Sequence, residues 1–116
     1  MVRMIVAFVP QMKKLGWGRI IQIASVSGDS PAAFLPAYGA TKAANINKTK
    51  SLAEDLKETG ITVNTVSPGP IATTGAKNLF FEIAKEKGWG GNWEEIEKKA
   101  IREMMPNLVG RFGKPE

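Results

Sequence analysis

Cysteine and histidine are both missing from this 116-residue sequence. The first absence excludes disulfides and thiolate chemistry and leaves the compartment unread. The second excludes a Ser-His-Asp triad, a histidine-ligated metal and a histidine general base. Any proton transfer must therefore run through tyrosine, lysine, a carboxyl group or water. Tyrosine itself occurs once, as Tyr38. No apolar run reaches the ~18 residues that a membrane span needs. The stretch up to Met12 carries a single arginine and is broken by Pro10, and no small-residue cleavage site follows, so a signal peptide is not expected. Internal repeats and low-complexity linkers are absent as well.

What is present is ordinary for one small globular domain. The formal net charge of +5 raises the question of nucleic acid. The basic residues are spread along helical segments and mixed with acids, however, and only Lys13-Lys14 and Lys98-Lys99 are adjacent pairs. They read as solvated helix faces, and no nucleic-acid partner is expected.

Residues 2–15 read as a helix whose apolar stripe is Val2, Ile5, Val6, Val9 and Met12. Lys13 and Lys14 suit its negative end, Gly16 suits the left-handed position beyond it, and Pro10 should bend it. Arg19–Ala24 reads as a buried strand and residues 25–36 as a loop. A helix is expected over 37–59, stopped by Gly60, and Ile61–Val66 is a second β-branched strand cut off at Ser67-Pro68-Gly69-Pro70. Strand, helix, strand with short links makes a parallel βαβ unit with a right-handed crossover. Further helices are expected over 75–87 and 93–104, the second opened by a capping box of Asn92 and Glu95 and supported by Glu94/Lys98 and Glu95/Lys99 pairs. Two parallel strands leave bare edges and an uncovered face, so the pattern implies more sheet than the sequence contains.

Tyr38 precedes Lys42 by four residues (YGATK), which places both on one helix face about 6 Å apart along the axis. An ammonium that close to a phenol favours the phenolate, which suits acid/base work. Taken by itself, the pair reads first as a chance helix-face contact. Ser25 lies at the carboxyl end of the first strand, the rim where parallel sheets bind ligands. There it can hold a substrate oxygen or simply bond its own turn, and Ser27 is a rival for the role.

Taken together, GRIIQIASVSG, AYGATKAA and ITVNTVSPGPIAT resemble the short-chain dehydrogenase/reductase family, in the manner of its 3-oxoacyl-[acyl-carrier-protein] reductase-like members. That family has a strand ending in a catalytic serine, a Y-x-x-x-K helix thirteen residues on and a P-G motif after the next strand. The resemblance spans nearly the whole chain, down to the tail GRFGKPE. It implies an α/β, partial Rossmann-like doubly wound parallel sheet and an enzyme moving hydride between NAD or NADP and a carbonyl or alcohol. In that scheme Tyr38 is the acid/base, Ser25 orients the substrate oxygen, and Lys42 favours the phenolate and holds the nicotinamide ribose hydroxyls. Pro68, Gly69, Ile71 and Thr73 would lie along the nicotinamide.

The family's glycine-rich phosphate loop has no counterpart, since Gly88-Trp89-Gly90-Gly91 does not follow a strand. The residue that separates NAD from NADP, the catalytic asparagine and the final strand are missing too. The resemblance therefore implies one incomplete domain over 1–116, with 73–108 as a substrate loop, that binds NAD(P) weakly or not at all when isolated. Within that loop, Phe80, Phe81, Trp89, Trp93, Met104 and Met105 would either line an apolar pocket or pack the helices together. A cytoplasmic homo-oligomer, dimer or tetramer, formed through the helices at 2–15 and 38–59, is expected by the same analogy. The alternative is a non-catalytic remnant that serves as a binding or assembly module. Asn45 and Asn47 have no functional account.

Overall fold

The computed structural model describes residues 2–116, and the chain divides into two compact units, Met1–Ser67 and Pro68–Glu116. The first contains α1 (Val2–Leu15), β1 (Gly18–Ile23), a short 3-10 turn (Val26–Gly28), α2 (Pro36–Asp55) and β2 (Ile61–Val66). Strands β1 and β2 pair in parallel from Gly18↔Ile61 to Ile23↔Val66. This is the expected α/β arrangement, a two-stranded piece of a Rossmann-like sheet.

Alternation along the strands gives the sheet two unlike faces. Ile20, Gln22, Ile61, Val63 and Thr65 are buried or half-buried, whereas Arg19, Ile21, Ile23, Thr62, Asn64 and Val66 are exposed. Leu56, Ile61 and Val63 form the core of the covered face, with Val9 and Met12 of α1 and Leu52 and Ala53 of α2 packed against them. Burying Leu56 completely contributes roughly 2 kcal/mol or more. Only part of the expected α1 stripe is used. Ile5, Val9 and Met12 are half-buried, while Val2 and Val6 are exposed, because one helix above two strands has a single line of contact. The helix runs unbroken through Pro10.

Two boundaries differ from the sequence expectation. The first strand begins at Gly18, whose N–H meets the Gly60 carbonyl, and the Ala24 N–H still bonds Val66 O at 2.8 Å beyond its assigned end. Helix α2 ends at Asp55 instead of running to Thr59: Leu56 leaves the helical conformation at φ −102° and ψ 7°, and the segment then turns back through Glu58, at a left-handed φ of 64°, and Gly60. A Cβ on Gly60, at φ 76°, would stand 1.9 Å from the Gly16 carbonyl oxygen, so only glycine fits this crossing of chain segments.

The second unit contains α3 (Thr74–Lys87) and α4 (Trp93–Glu103). Its core is Phe80, Ala84, Trp89, Ile96, Ala100, Ile101 and Phe112. The Phe112 ring makes edge-to-face contacts with Phe80 at 5.2 Å and with Trp93 at 5.5 Å. Asn92 caps α4 as expected, its Oδ1 accepting from Glu95 N–H at 3.0 Å. The anticipated Glu94/Lys98 and Glu95/Lys99 pairs are not made. Lys99 donates instead to the Trp89 carbonyl at 3.2 Å, and the ion pair among the described residues is Lys85–Glu82. No helix among the described residues is long and apolar enough to cross a membrane.

Candidate active site

Ser25 leaves β1 in an extended conformation and is buried. Its Oγ accepts a hydrogen bond from the Ser27 N–H at 3.2 Å, which caps the 3-10 turn. The local turn bond weighed for this serine is thus made. It uses an oxygen lone pair and leaves the hydroxyl proton available to donate. Ser27 is buried as well, with its carbonyl oxygen turned to α2, where a Cβ on Gly39 would come within 2.9 Å of it.

Tyr38 sits in the first turn of α2 and is half-exposed, at 44%. The Lys42 ammonium lies 5.4 Å from the centre of the Tyr38 ring and donates to the Ile23 carbonyl at 3.1 Å. An ammonium has three N–H groups, so two remain for other acceptors. Lys42 therefore ties the tyrosine ring to the last residue of β1, two positions before Ser25. On the other side, Gly39 seats the same helical turn against Ser27, two positions after Ser25. The helix turn that carries Tyr38 and Lys42 is thus held at both flanks of the serine.

Sequence reasoning missed the means of that seating. A Cβ on Gly28 would fall 2.8 Å from the Lys42 backbone carbon and 2.9 Å from the Ala43 nitrogen, so the 3-10 turn approaches the α2 backbone where no side chain fits. A glycine inside a helix costs roughly 0.5–1 kcal/mol relative to alanine, so Gly39 in the first turn of α2 was the legible sign of a close approach. Beside this contact lies an apolar hollow of about 420 Å³ bounded by Ser27, Pro31, Ala33, Pro36, Gly39 and Ala43.

The other four candidate residues belong to the second unit. Pro68 is half-buried, and Gly69 is exposed with nothing near its missing Cβ. Ile71 bridges in parallel to Gly113, flanked by Gly113 N–H to Pro70 O and Ala72 N–H to Gly113 O, both at 2.8 Å. Thr73 caps α3, its Oγ1 accepting from Ala76 N–H at 3.2 Å, which again leaves a hydroxyl proton free. The large apolar candidates of 73–108 divide: Phe80 and Trp89 are buried in the core of their own unit, while Phe81, Trp93, Met104 and Met105 are half-buried. Among the described residues no group of His, Cys, Asp and Glu side chains could hold a metal ion.

The chain is 48% identical over 107 residues to nodulation protein G of Azospirillum brasilense, covering 92% of this chain and 37% of that protein. It is 38% identical over 106 residues to the 3-oxoacyl-[acyl-carrier-protein] reductase of Aquifex aeolicus, covering 91% and 36% respectively. Among solved structures, the L-sorbose reductase of Gluconobacter frateurii, complexed with NADPH and L-sorbose, superposes with a TM-score of 0.84 at 33% identity, over 99% of this chain and 42% of that one. The chain thus spans about a third of the length of the curated relatives it matches. The family model described as short chain dehydrogenase matches residues 1–83, the whole of the first unit and the start of the second, and the chain belongs to that family.

Proposed function

We propose that this chain is the substrate-facing and nicotinamide-facing part of an NAD(P)-dependent oxidoreductase that acts on a carbonyl or alcohol. One observation carries the reading: Lys42 bridges the Tyr38 ring and the strand end from which Ser25 departs. The residues present fit the nicotinamide half of such a cofactor. Lys42 has two N–H groups left for hydroxyls, the Thr73 hydroxyl retains a proton to donate, and Gly69 leaves its backbone open to a flat ring. When bound, the cofactor supplies or accepts the hydride. Ser25 then donates its hydroxyl proton to the substrate oxygen and fixes its place. In the reducing direction Tyr38 gives the proton from Oη to that oxygen, and in the oxidising direction it takes it back. Tyr38 reaches solvent and so can be reprotonated between turnovers. NADPH in the sorbose reductase complex supports a nicotinamide cofactor and leaves the choice between NAD and NADP open.

In this reading 1–116 is one incomplete domain, and 73–108 is its substrate loop. The protein is a cytoplasmic homo-oligomer, and the exposed Val2, Val6 and Phe8 of α1 support a subunit contact through that helix. The isolated chain is inactive, because it carries no glycine-rich loop for the cofactor's phosphates. A second reading, a non-catalytic assembly module, is favoured by the sheet itself, whose open face exposes Ile21 at 61% and Ile23 at 58%.

Ketone turnover by a full-length form decides between them, and Tyr38→Phe then tests the assigned acid. In a full-length form that turns over a ketone, removing the hydroxyl should lower kcat by roughly 10²-fold or more with little change in folding. Turnover retained in that variant rejects Tyr38 as the acid.

A further inference from the structure

Helix α2 is anchored unevenly. Its large apolar contacts with the sheet core come from Leu52 and Leu56 in the last turns. Between Ala37 and Lys48 the one larger aliphatic side chain is Ile46, and the rest of that stretch is small or polar. Yet the working residues, Tyr38 and Lys42, stand at the other end, where backbone approaches at Gly28 and Gly39 hold the helix to the 3-10 turn but no large apolar side chain holds it to the sheet core. From Leu56 to Tyr38 the helix rises about 27 Å, so a tilt of about 3° about its C-terminal anchor would move Tyr38 by about 1.4 Å. Displacements near 1 Å are large for a reacting group.

One buried polar contact lies between the anchor and the site. Thr49 is buried at 7% exposure. Its Oγ1 donates to the Asn45 carbonyl at 3.0 Å, one turn back, which spends its proton within the helix. That leaves the oxygen as an acceptor, and Thr65 of β2 donates to it at 2.7 Å. Among the described residues this is the side-chain-to-side-chain hydrogen bond that joins a strand to a helix. Thr49 and Lys42 are seven residues apart, two turns, so both ties leave the same face of α2. Lys42 grips β1 at Ile23 and Thr49 grips β2 at Thr65. Apolar contact tolerates sliding, whereas a hydrogen bond is directional and does not.

We infer that Thr49 and Thr65 are positioning residues: their hydroxyl pair fixes the rotation and tilt of α2 on the sheet and so holds Lys42 on Ile23 and Tyr38 beside it. The functional importance of this rests on the reading of Tyr38 and Lys42 given above, but the geometric claim does not.

The single tyrosine provides the readout. In the chain labelled with ring-13C tyrosine, the Tyr38 ring resonances report its surroundings without overlap. Lys42→Met removes the ammonium and defines the displacement of those resonances when the tie to β1 is lost. Thr49→Val keeps the side-chain shape and removes both hydroxyl bonds. It should move the ring resonances by at least half of the Lys42→Met displacement, and Thr49→Ser should restore them. Ring resonances that stay in place in a folded Thr49→Val chain overturn the proposal. If that variant fails to fold, Thr65→Val breaks the same bond from the half-buried strand side and leaves the Thr49–Asn45 bond intact; unmoved resonances there overturn it equally. A Tyr38→Phe enzyme that remains active would sink the proton-transfer role and leave these spectra as they are.

Discussion

In the Met1–Ser67 unit the side chains with chemical potential are held by polar ties on a lightly covered sheet, whereas the Pro68–Glu116 unit closes around interlocking rings. Ser25, Tyr38 and Lys42 are placed by a turn bond, a strand-end carbonyl and two glycines that bring backbones together. Thr73 and Ile71 are placed by a helix cap and by pairing with Gly113, and Gly113 follows Phe112, the hub of the aromatic core. Polar ties fix direction and contribute little net stability, while ring packing contributes stability with less directional control. The first unit therefore should respond to mutation in geometry, and the second in stability.

The largest effect that can break this contrast is Phe112→Ala. Phe112 is 2% exposed, and the variant loses both edge-to-face contacts. It should cost about 3–5 kcal/mol in the second unit. In urea titrations followed by amide hydrogen exchange, protection should collapse in α3 and α4 and persist in β1 and β2. Equal loss in the strands would show that the two units share one cooperative core.

A smaller effect sharpens the other side. In Gly28→Ala the new methyl meets backbone atoms of Lys42 and Ala43, which cannot rotate away as a side-chain end can. The cost should be about 1–3 kcal/mol, carried by separation of the 3-10 turn from α2. The check is the Tyr38 ring resonance together with amide protection at Ser27 and Gly28. Wild-type values at both would mean that the turn is not wedged on the helix.

How much of this was legible follows the range of the interactions. The βαβ unit was readable because strand alternation, β-branched runs and Gly60 are local signals, and β2 falls where its residues predict. The Tyr38–Lys42 pairing was readable from helical spacing. What Lys42 does with its ammonium was not, since its acceptor is a carbonyl nineteen residues earlier in the chain. The pairing of Ile71 with Gly113, and the Phe112 N–H donating to Glu97 at 2.9 Å, were invisible for the same reason. The early end of α2 was missed because Leu56 already leaves the helical conformation, four residues before the glycine.

The smallest expected effect tests whether any polar contact in the second unit matters on the scale of its rings. Asn92 is exposed and accepts from the Glu95 N–H, satisfying one of the orphan donors at the start of α4. Asn92→Ala should cost about 1 kcal/mol, because the freed N–H can turn to water at this exposed end. Ile96, Ala100 and Ile101 on the buried side of α4 stay in place, so the helix should fray at its first turn and not detach. Thermal unfolding would then show a small fall in midpoint with unchanged cooperativity, and exchange would quicken at Glu95 and leave Ala100 unaffected. A loss comparable to that of Phe112→Ala would reverse the contrast, since a single cap would then hold the unit together as firmly as its aromatic core.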